Sequence, residues 1–364
     1  MNDLVSKISA DAVIVGGGPS GCAAALGLAQ AGVQVALLER GSGRKPGEIV
    51  EPMIRLPLLE LGLLESFEAL NSLLLGGSLS LWDSEAPVEF HGIVNPYGHG
   101  ALIDRQKFER WFTGAAAKAG VRIFATARPV AAETDNGRWR ISGTANGRIL
   151  DISTPLIIEA TGRGRGLLGN NSRDVKDRLV AFLTYGAIPP GSCDQRLIIE
   201  AGTNGWWYAA PLPNNKAVVA FMTDADIVPR SAVHRLQYVR EQLTATIIVR
   251  EFAEQLIEPE PLFGFPANSS LKRIINGKNW ITIGDAAASY DPLSGRGVAV
   301  ALAKGAAIAR LLMTCSNRSR ALDTYADAER AAFSDYVIDQ SKIYRRGAKR
   351  FNSPFWHRRA ASSP

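Results

Sequence analysis

Residues 16–21 read Gly16-Gly17-Gly18-Pro19-Ser20-Gly21 and satisfy the spacing G-x-G-x-x-G. Glycines at these steps allow a tight turn from strand to helix, close approach of backbone to a pyrophosphate, and close packing of helix on sheet. The N–H groups of the following helix then face the phosphates. The flanks match this chemistry. An apolar run, Ala12-Val13-Ile14-Val15, precedes the turn, a small-residue stretch over 22–31 follows it, and a second apolar run over 33–38 ends in Glu39-Arg40. Strand, turn, helix and strand make a βαβ unit. Glu39 closes the second strand, where a carboxylate binds ribose hydroxyls and disfavours a 2′-phosphate. The pattern points to a dinucleotide and leaves NAD and FAD open.

Other side chains suit chemistry on an aromatic substrate. His91 and His99 flank Pro96-Tyr97-Gly98 in a loop, and histidine titrates close enough to neutrality to act as a base toward a phenol, an indole or water. Trp206, Trp207 and Tyr208 fall on a predicted strand, so alternate rings face opposite sides; Trp206 and Tyr208 would line one pocket. The three cysteines, Cys22, Cys193 and Cys315, have no metal-ligand spacing, so no metal site is expected and a reducing, cytoplasmic setting is.

The elements that must position these residues follow from texture. The chain has 364 residues, 46% hydrophobic and 21% charged, enough for two large cores and unlike a disordered or fibrous protein. Its net charge of +6 is concentrated after Asp339 in Lys342, Arg345, Arg346, Lys349, Arg350, Arg358 and Arg359, so no basic field covers the molecule and nucleic acid is not an expected partner. The long uncharged run over 12–38 is broken by the glycine turn, and no membrane span is expected.

A helix over 108–119, a strand over 121–125, an Asn146-Gly147 hairpin within 138–151 and a buried strand at 156–160 continue the first unit. From 180 to 265 the alternation predicts antiparallel strands with one helix near 233–253. A strand at 280–283, a helix over 297–313 and a helical piece over 321–350 follow. The expected class is α/β, or α+β overall. A Rossmann-like dinucleotide-binding domain (1–75, 98–178 and 268–318) carries an inserted antiparallel β-sheet substrate domain (76–97 and 179–267) and a C-terminal helical segment (319–364).

Two later motifs decide between NAD and FAD. One is Ile158-Glu159-Ala160-Thr161-Gly162-Arg163. The other is Trp280-Ile281-Thr282-Ile283-Gly284-Asp285-Ala286-Ala287, followed by Asp291-Pro292-Leu293-Ser294-Gly295-Arg296-Gly297. With the N-terminal glycines and Asp104-Arg105-Gln106-Lys107-Phe108 they resemble, in order and over nearly the whole chain, a family of FAD-dependent oxidoreductases. It includes p-hydroxybenzoate-hydroxylase-like monooxygenases, flavin-dependent halogenases and geranylgeranyl-reductase-like enzymes.

The resemblance implies non-covalent FAD held by Gly16, Gly18, Pro19, Ser20, Gly21, Glu39, Arg40, Arg105, Gly162, Gly284, Asp285, Pro292, Ser294, Gly295, Arg296 and Gly297. Glu39 would take the adenosine ribose, Arg105 the backbone around the dinucleotide and Asp285 the ribityl or pyrophosphate portion. The turn at 292–297 would place N–H groups near the pyrimidine end of the flavin. Lys45-Pro46-Gly47-Glu48 resembles the G-E motif of the halogenase and reductase branches, which sets Glu48 near the flavin as a third catalytic candidate beside His91 and His99.

The halogenase signature itself is broken. No lysine occurs between Lys45 and Lys107, and the W-x-W-x-I-P motif is replaced by Trp206-Trp207-Tyr208-Ala209-Ala210-Pro211. The ending Asn352-Ser353-Pro354-Phe355-Trp356-His357-Arg358-Arg359 resembles that of the flavoproteins that mature quinone-cofactor enzymes of the lysine-oxidase and glycine-oxidase type by modifying a tryptophan of a partner polypeptide. The implied activity is hydroxylation of an electron-rich aromatic ring through a flavin hydroperoxide, with a peptidyl tryptophan as first choice and a free aromatic metabolite next. With no second G-x-G-x-x-G, NADH or NADPH would act as a transient reductant, or a separate flavin reductase would serve. A reductase of the geranylgeranyl type, and a flavoprotein that only chaperones a partner, are the alternatives.

Overall fold

The computed structural model describes residues 6–361 apart from 42, 44, 71, 165, 169, 170, 192 and 193. The first βαβ unit forms where its apolar runs lie. Strands Ala12–Val15 and Val35–Leu38 are parallel and wholly buried, as is Ile157–Glu159 on the other side of Ala12–Val15. A six-stranded sheet results, in the order Asn276–Gly277, Trp280–Thr282, Ile157–Glu159, Ala12–Val15, Val35–Leu38, Arg122–Phe124.

Burial on both faces explains why these strands are continuous apolar runs rather than alternating ones. Ala12, Ile14, Leu37 and Ile158 face a helical layer. Val13, Val15, Ala36, Leu38 and Ile157 face Ile141, Leu150 and Ile152 of a second sheet. That sheet has the order Ser6–Ser9, Arg148–Thr154, Arg138–Ala145, Arg128–Asp135. Its central hairpin turns at Asn146 (φ 51°) and Gly147 (φ 74°), the left-handed pair that a two-residue turn between twisted strands requires.

The described helices are α1 (Pro19–Gln30), α2 (Arg55–Glu60), α3 (Leu64–Glu68), α4 (Arg105–Lys118), α5 (Ala232–Thr244), α6 (Ile248–Ala253), α7 (Gly297–Thr314), α8 (Arg318–Gly347) and α9 (Pro354–Ala361). The single helix expected over 233–253 is two. The buried Glu200 carboxylate accepts from the N–H groups of Ile247 (2.6 Å) and Val249 (2.9 Å), which caps a new helix start and breaks the run. α7 is long and apolar enough to cross a membrane, but it lies along α1 with Leu302, Ala306, Ile308 and Ala309 in the core.

The inserted sheet has seven strands in the order Phe263–Pro266, Leu179–Ala187, Lys216–Asp224, Gly205–Leu212, Arg196–Gly202, Gly77–Leu81, Val88–His91. It is antiparallel except where Gly77–Leu81 joins Arg196–Gly202 in parallel, since that strand arrives from the first unit rather than by a hairpin.

α8 and α9 fold back on this sheet. Phe355 and Trp356 have no exposed surface, and Trp356 Nε1 donates to Gly202 O at 2.9 Å. Three basic residues of the tail pair with acidic residues of the chain: Arg346 with Asp83, Arg358 with Asp224 and Asp226, and Arg359 with Asp224.

Candidate functional site

The glycine turn is built for close approach. Gly16 has φ +115°, and a Cβ there would overlap Ala160 O; one on Gly21 would overlap Gly16 O. At Gly18, by contrast, a Cβ would meet nothing within 4 Å. α1 starts at Pro19 with no side-chain cap, so its first turn opens on free space, as an anion site requires. Glu39 lies against the turn: a Cβ on Gly17 would come 2.8 Å from its Cγ. Burial pushes the Glu39 carboxyl above its ordinary range, against the pull of Lys45. Arg40 is exposed beside it.

The later motifs converge on the same place. Gly284 has φ +59°, and a Cβ there would overlap Ser20 Oγ, which sets the 284–285 turn against the start of α1. The Thr161 hydroxyl next to Gly16 is buried and has no hydrogen-bond partner among the described residues. Gly162 has φ +66° and open space around its Cβ direction. Asp285 is partly exposed and pairs with Arg163 (3.3 Å), which also donates to Tyr290 O at 2.7 Å. Arg173 fixes the backbone of this turn by donating to Asp285 O (3.1 Å) and Ala286 O (2.7 Å).

α7 supplies a second open helix start. It has no side-chain cap, Gly295 before it has φ +65°, and a Cβ on Gly297 would meet nothing within 4 Å. A Cβ on Gly305 would overlap Ser20 O, while one on Gly27 would lie 2.8 Å from Ala309 Cβ, so the two helices run parallel. Ala23 against Gly305 and Gly27 against Ala309 both set α7 four residues ahead, so at 1.5 Å per residue its start projects about 6 Å beyond that of α1. Two uncapped helix starts, aimed the same way and staggered, with the orphaned Thr161 hydroxyl between strand and turn, fit an extended dinucleotide.

Segment 45–51 runs beside the second start. A Cβ on Gly47 would lie 3.6 Å from Val298, and Arg296 donates to Glu51 at 3.1 Å. Arg105, at the first residue of α4, pairs with Glu109 (3.0 Å) and donates to Pro46 O (3.3 Å). Lys45 reaches the same Glu109 (3.0 Å). Arg105 thus holds the protein backbone at this segment.

Glu48 is only 4% exposed. Its carboxyl accepts from Gly47 N–H (2.9 Å) and from the Tyr185 hydroxyl, and burial pushes it up. Burial and the Glu48 charge also raise the Tyr208 phenol. A carboxyl–tyrosine pair therefore spans the seam between segment 45–51 and the inserted sheet.

The other candidates separate from this cluster. His91 is exposed on the edge strand Val88–His91, 3.6 Å from Glu89. His99 has a buried Nδ1 without a partner, close to Gly92, and no hydrogen bond among the described residues joins it to Glu48 or Tyr185. Trp206 does not line an open pocket. It is 1% exposed, packs with Trp82, Tyr344 and Trp356, and donates to Tyr344 Oη at 2.8 Å. Tyr208 shares that face and is buried as well; Trp207 stacks on Phe221 on the other face. An open groove of about 830 Å³ between Asp177, Arg178, Asp226 and Arg230 contains none of the expected residues.

Comparison with known proteins agrees with this geometry. The chain is 27% identical to the putative FAD-dependent oxidoreductase LodB of Marinomonas mediterranea, over 98% of each chain. Among solved structures it matches the myxobacterial chondrochloren halogenase CndH (TM-score 0.86, 20% identity, 97% of this chain and 86% of that one). It also matches the peptidyl tryptophan dihydroxylase QhpG (TM-score 0.78, 24% identity, 97% of this chain and 79% of that one). The model of the FAD binding domain family aligns with residues 9–341, so this chain belongs to that family and is an FAD-dependent oxidoreductase.

Proposed function

We propose that the enzyme is a monooxygenase that hydroxylates an electron-rich aromatic ring, namely a tryptophan side chain of a partner polypeptide, in the cytoplasm. α1 would hold the FAD pyrophosphate at Gly16, Gly18 and Gly21, Glu39 the adenosine ribose, Asp285 the ribityl chain, and the α7 start the flavin ring. Bound FAD supplies electron transfer to dioxygen, with NADH or NADPH as donor directly or through a reductase.

The observation that carries the reading is the buried Glu48–Tyr185 pair beside the α7 start. A carboxylate whose affinity for a proton is raised by burial is a stronger base than an exposed one and can take a proton from a neighbour. Glu48 Oε1 with Tyr185 Oη therefore takes the proton that an aromatic ring releases when it recovers aromaticity after gaining oxygen. The surrounding core excludes water from this exchange.

The peptidyl substrate is supported by the fold shared with the peptidyl tryptophan dihydroxylase QhpG. Against halogenation stand the absence of any lysine between Lys45 and Lys107 and the burial of Trp206 in the core.

The test has two arms. Anaerobic titration with NADH, then NADPH, should bleach the bound flavin with one of them or identify the need for a reductase. Cells with and without the gene, grown under heavy-isotope dioxygen, should differ in labelled oxygen on tryptophan of one polypeptide. Tightly coupled hydroxylation of a free aromatic with no labelled polypeptide would overturn the protein-substrate reading. Flavin-dependent reduction of a prenyl chain with no oxygen incorporated would replace it with the reductase.

A further inference from the structure

We propose that Tyr336, Gln340 and Tyr344 of α8 are positioning residues that hold Asp291, and with it the turn at 292–297, against the flavin, and that Tyr344 ties this turn to Trp206 of the inserted sheet. The inference rests on the flavin site alone and stands whichever substrate the enzyme takes.

The three residues are spaced by four along α8, so they form one stripe on one face of the helix. All three converge on a single residue. Asp291 N–H donates to Tyr336 Oη at 2.8 Å. Asp291 Oδ2 accepts from Tyr344 Oη at 2.5 Å and from Gln340 Nε2 at 3.0 Å, while Oδ1 accepts from Leu293 N–H at 2.7 Å. Asp291 is 3% exposed and opens the turn that carries Gly295 into α7. The turn is thus hung from a carboxyl whose position is set by a helix far away in sequence.

The tie to the sheet is direct. Trp206 Nε1–H donates to Tyr344 Oη (2.8 Å), and Tyr344 donates onward to Asp291. A displacement of strand Gly205–Leu212 therefore reaches the flavin turn through two hydrogen bonds. Apolar packing alone would not need this chain of donors in a core that is otherwise aliphatic and aromatic.

The charge of Asp291 gives the arrangement a measurable signature. Burial pushes its carboxyl up to about 6; the Tyr344 bond and Arg359 of α9 pull it down, and Asp177 pushes it up. Tyr336 faces it from the same helix as Tyr344. An ionised carboxylate at the base of the turn opposes the negative charge that collects on a flavin as it is reduced. The flavin midpoint potential should then show an inflection near pH 6.

The experiment is spectroelectrochemical titration of the FAD-loaded protein from pH 5 to 8, with no substrate present, so its outcome is independent of the substrate reading. Asp291→Asn should remove the inflection. Tyr344→Phe keeps the packed ring but loses the donor, and should move the inflection up by about one pH unit. Gln340→Leu should move it the same way, and Trp206→Phe should move it less. If Tyr344→Phe does not fold, Gln340→Leu decides. An inflection absent in the wild type, or unmoved in the variants that fold, overturns the proposal.

Discussion

At the residue scale, Glu48 and Tyr185 show which chemistry announces itself in a sequence and which does not. Glu48 stands in a short motif after the second strand, and that motif alone marks it as a candidate. Tyr185 sits in an alternating strand with nothing in its spacing to mark it, and only the fold brings its hydroxyl to Glu48 across 137 residues. Trp206 misled for the converse reason: an aromatic on a strand reads the same whether it lines a pocket or a core, and here Tyr344 takes its N–H. Glu48→Gln should retain FAD, since the carboxyl is not at the pyrophosphate, while turnover falls about 10²-fold or more; stopped-flow kinetics beside a FAD-binding titration checks this. Tyr185→Phe removes a bond that lowers the Glu48 carboxyl. The base form of Glu48 would then appear at higher pH, so the rising limb of the pH–rate profile should shift upward, and an unmoved limb would remove Glu48 as the titrating base.

At the element scale, the stagger of α1 and α7 is the feature on which the site depends. Both helices were legible from their apolar runs and the glycine turns that precede them. Their parallel packing was not, since it is written in Gly27 and Gly305, which mean nothing until two helices are laid together. The break between α5 and α6 was hidden for the same reason: its cause, Glu200, lies on another strand. Gly305→Ala puts a methyl against the Ser20 carbonyl, which is backbone and cannot swing away. The helices must separate, at about 1–3 kcal/mol. We expect a lower midpoint in chemical denaturation together with weaker FAD binding, because the same shift moves the α7 start. Gly114→Ala on α4, where a Cβ meets nothing within 4 Å, is the control: it should raise the midpoint slightly through helix propensity and leave FAD binding unchanged.

At the scale of the whole molecule, the C-terminal segment acts as a clasp rather than a free arm. A run of arginines after Asp339 could equally be a solvated face or a surface for a partner, and only the acidic residues it meets distinguish the cases. Asp83, Asp224 and Asp226 all belong to the inserted sheet or its loops, and Arg346, Arg358 and Arg359 bind them. Between these pairs Trp356 packs on Phe351 and against Trp82 and Tyr344, and a Cβ on Gly347 would overlap its ring. The exposed pairs are worth little each; the buried rings carry the attachment. Trp356→Ala should therefore cost about 3–5 kcal/mol, whereas Arg346→Ala, whose pair is exposed, should cost less than about 1 kcal/mol. Urea titration of the two variants separates a clasp from a docking arm. If the tail were an arm, Trp356→Ala would leave the midpoint unchanged. As a clasp it lowers the midpoint and, because Tyr344 loses a packing neighbour, loosens the flavin turn at the same time.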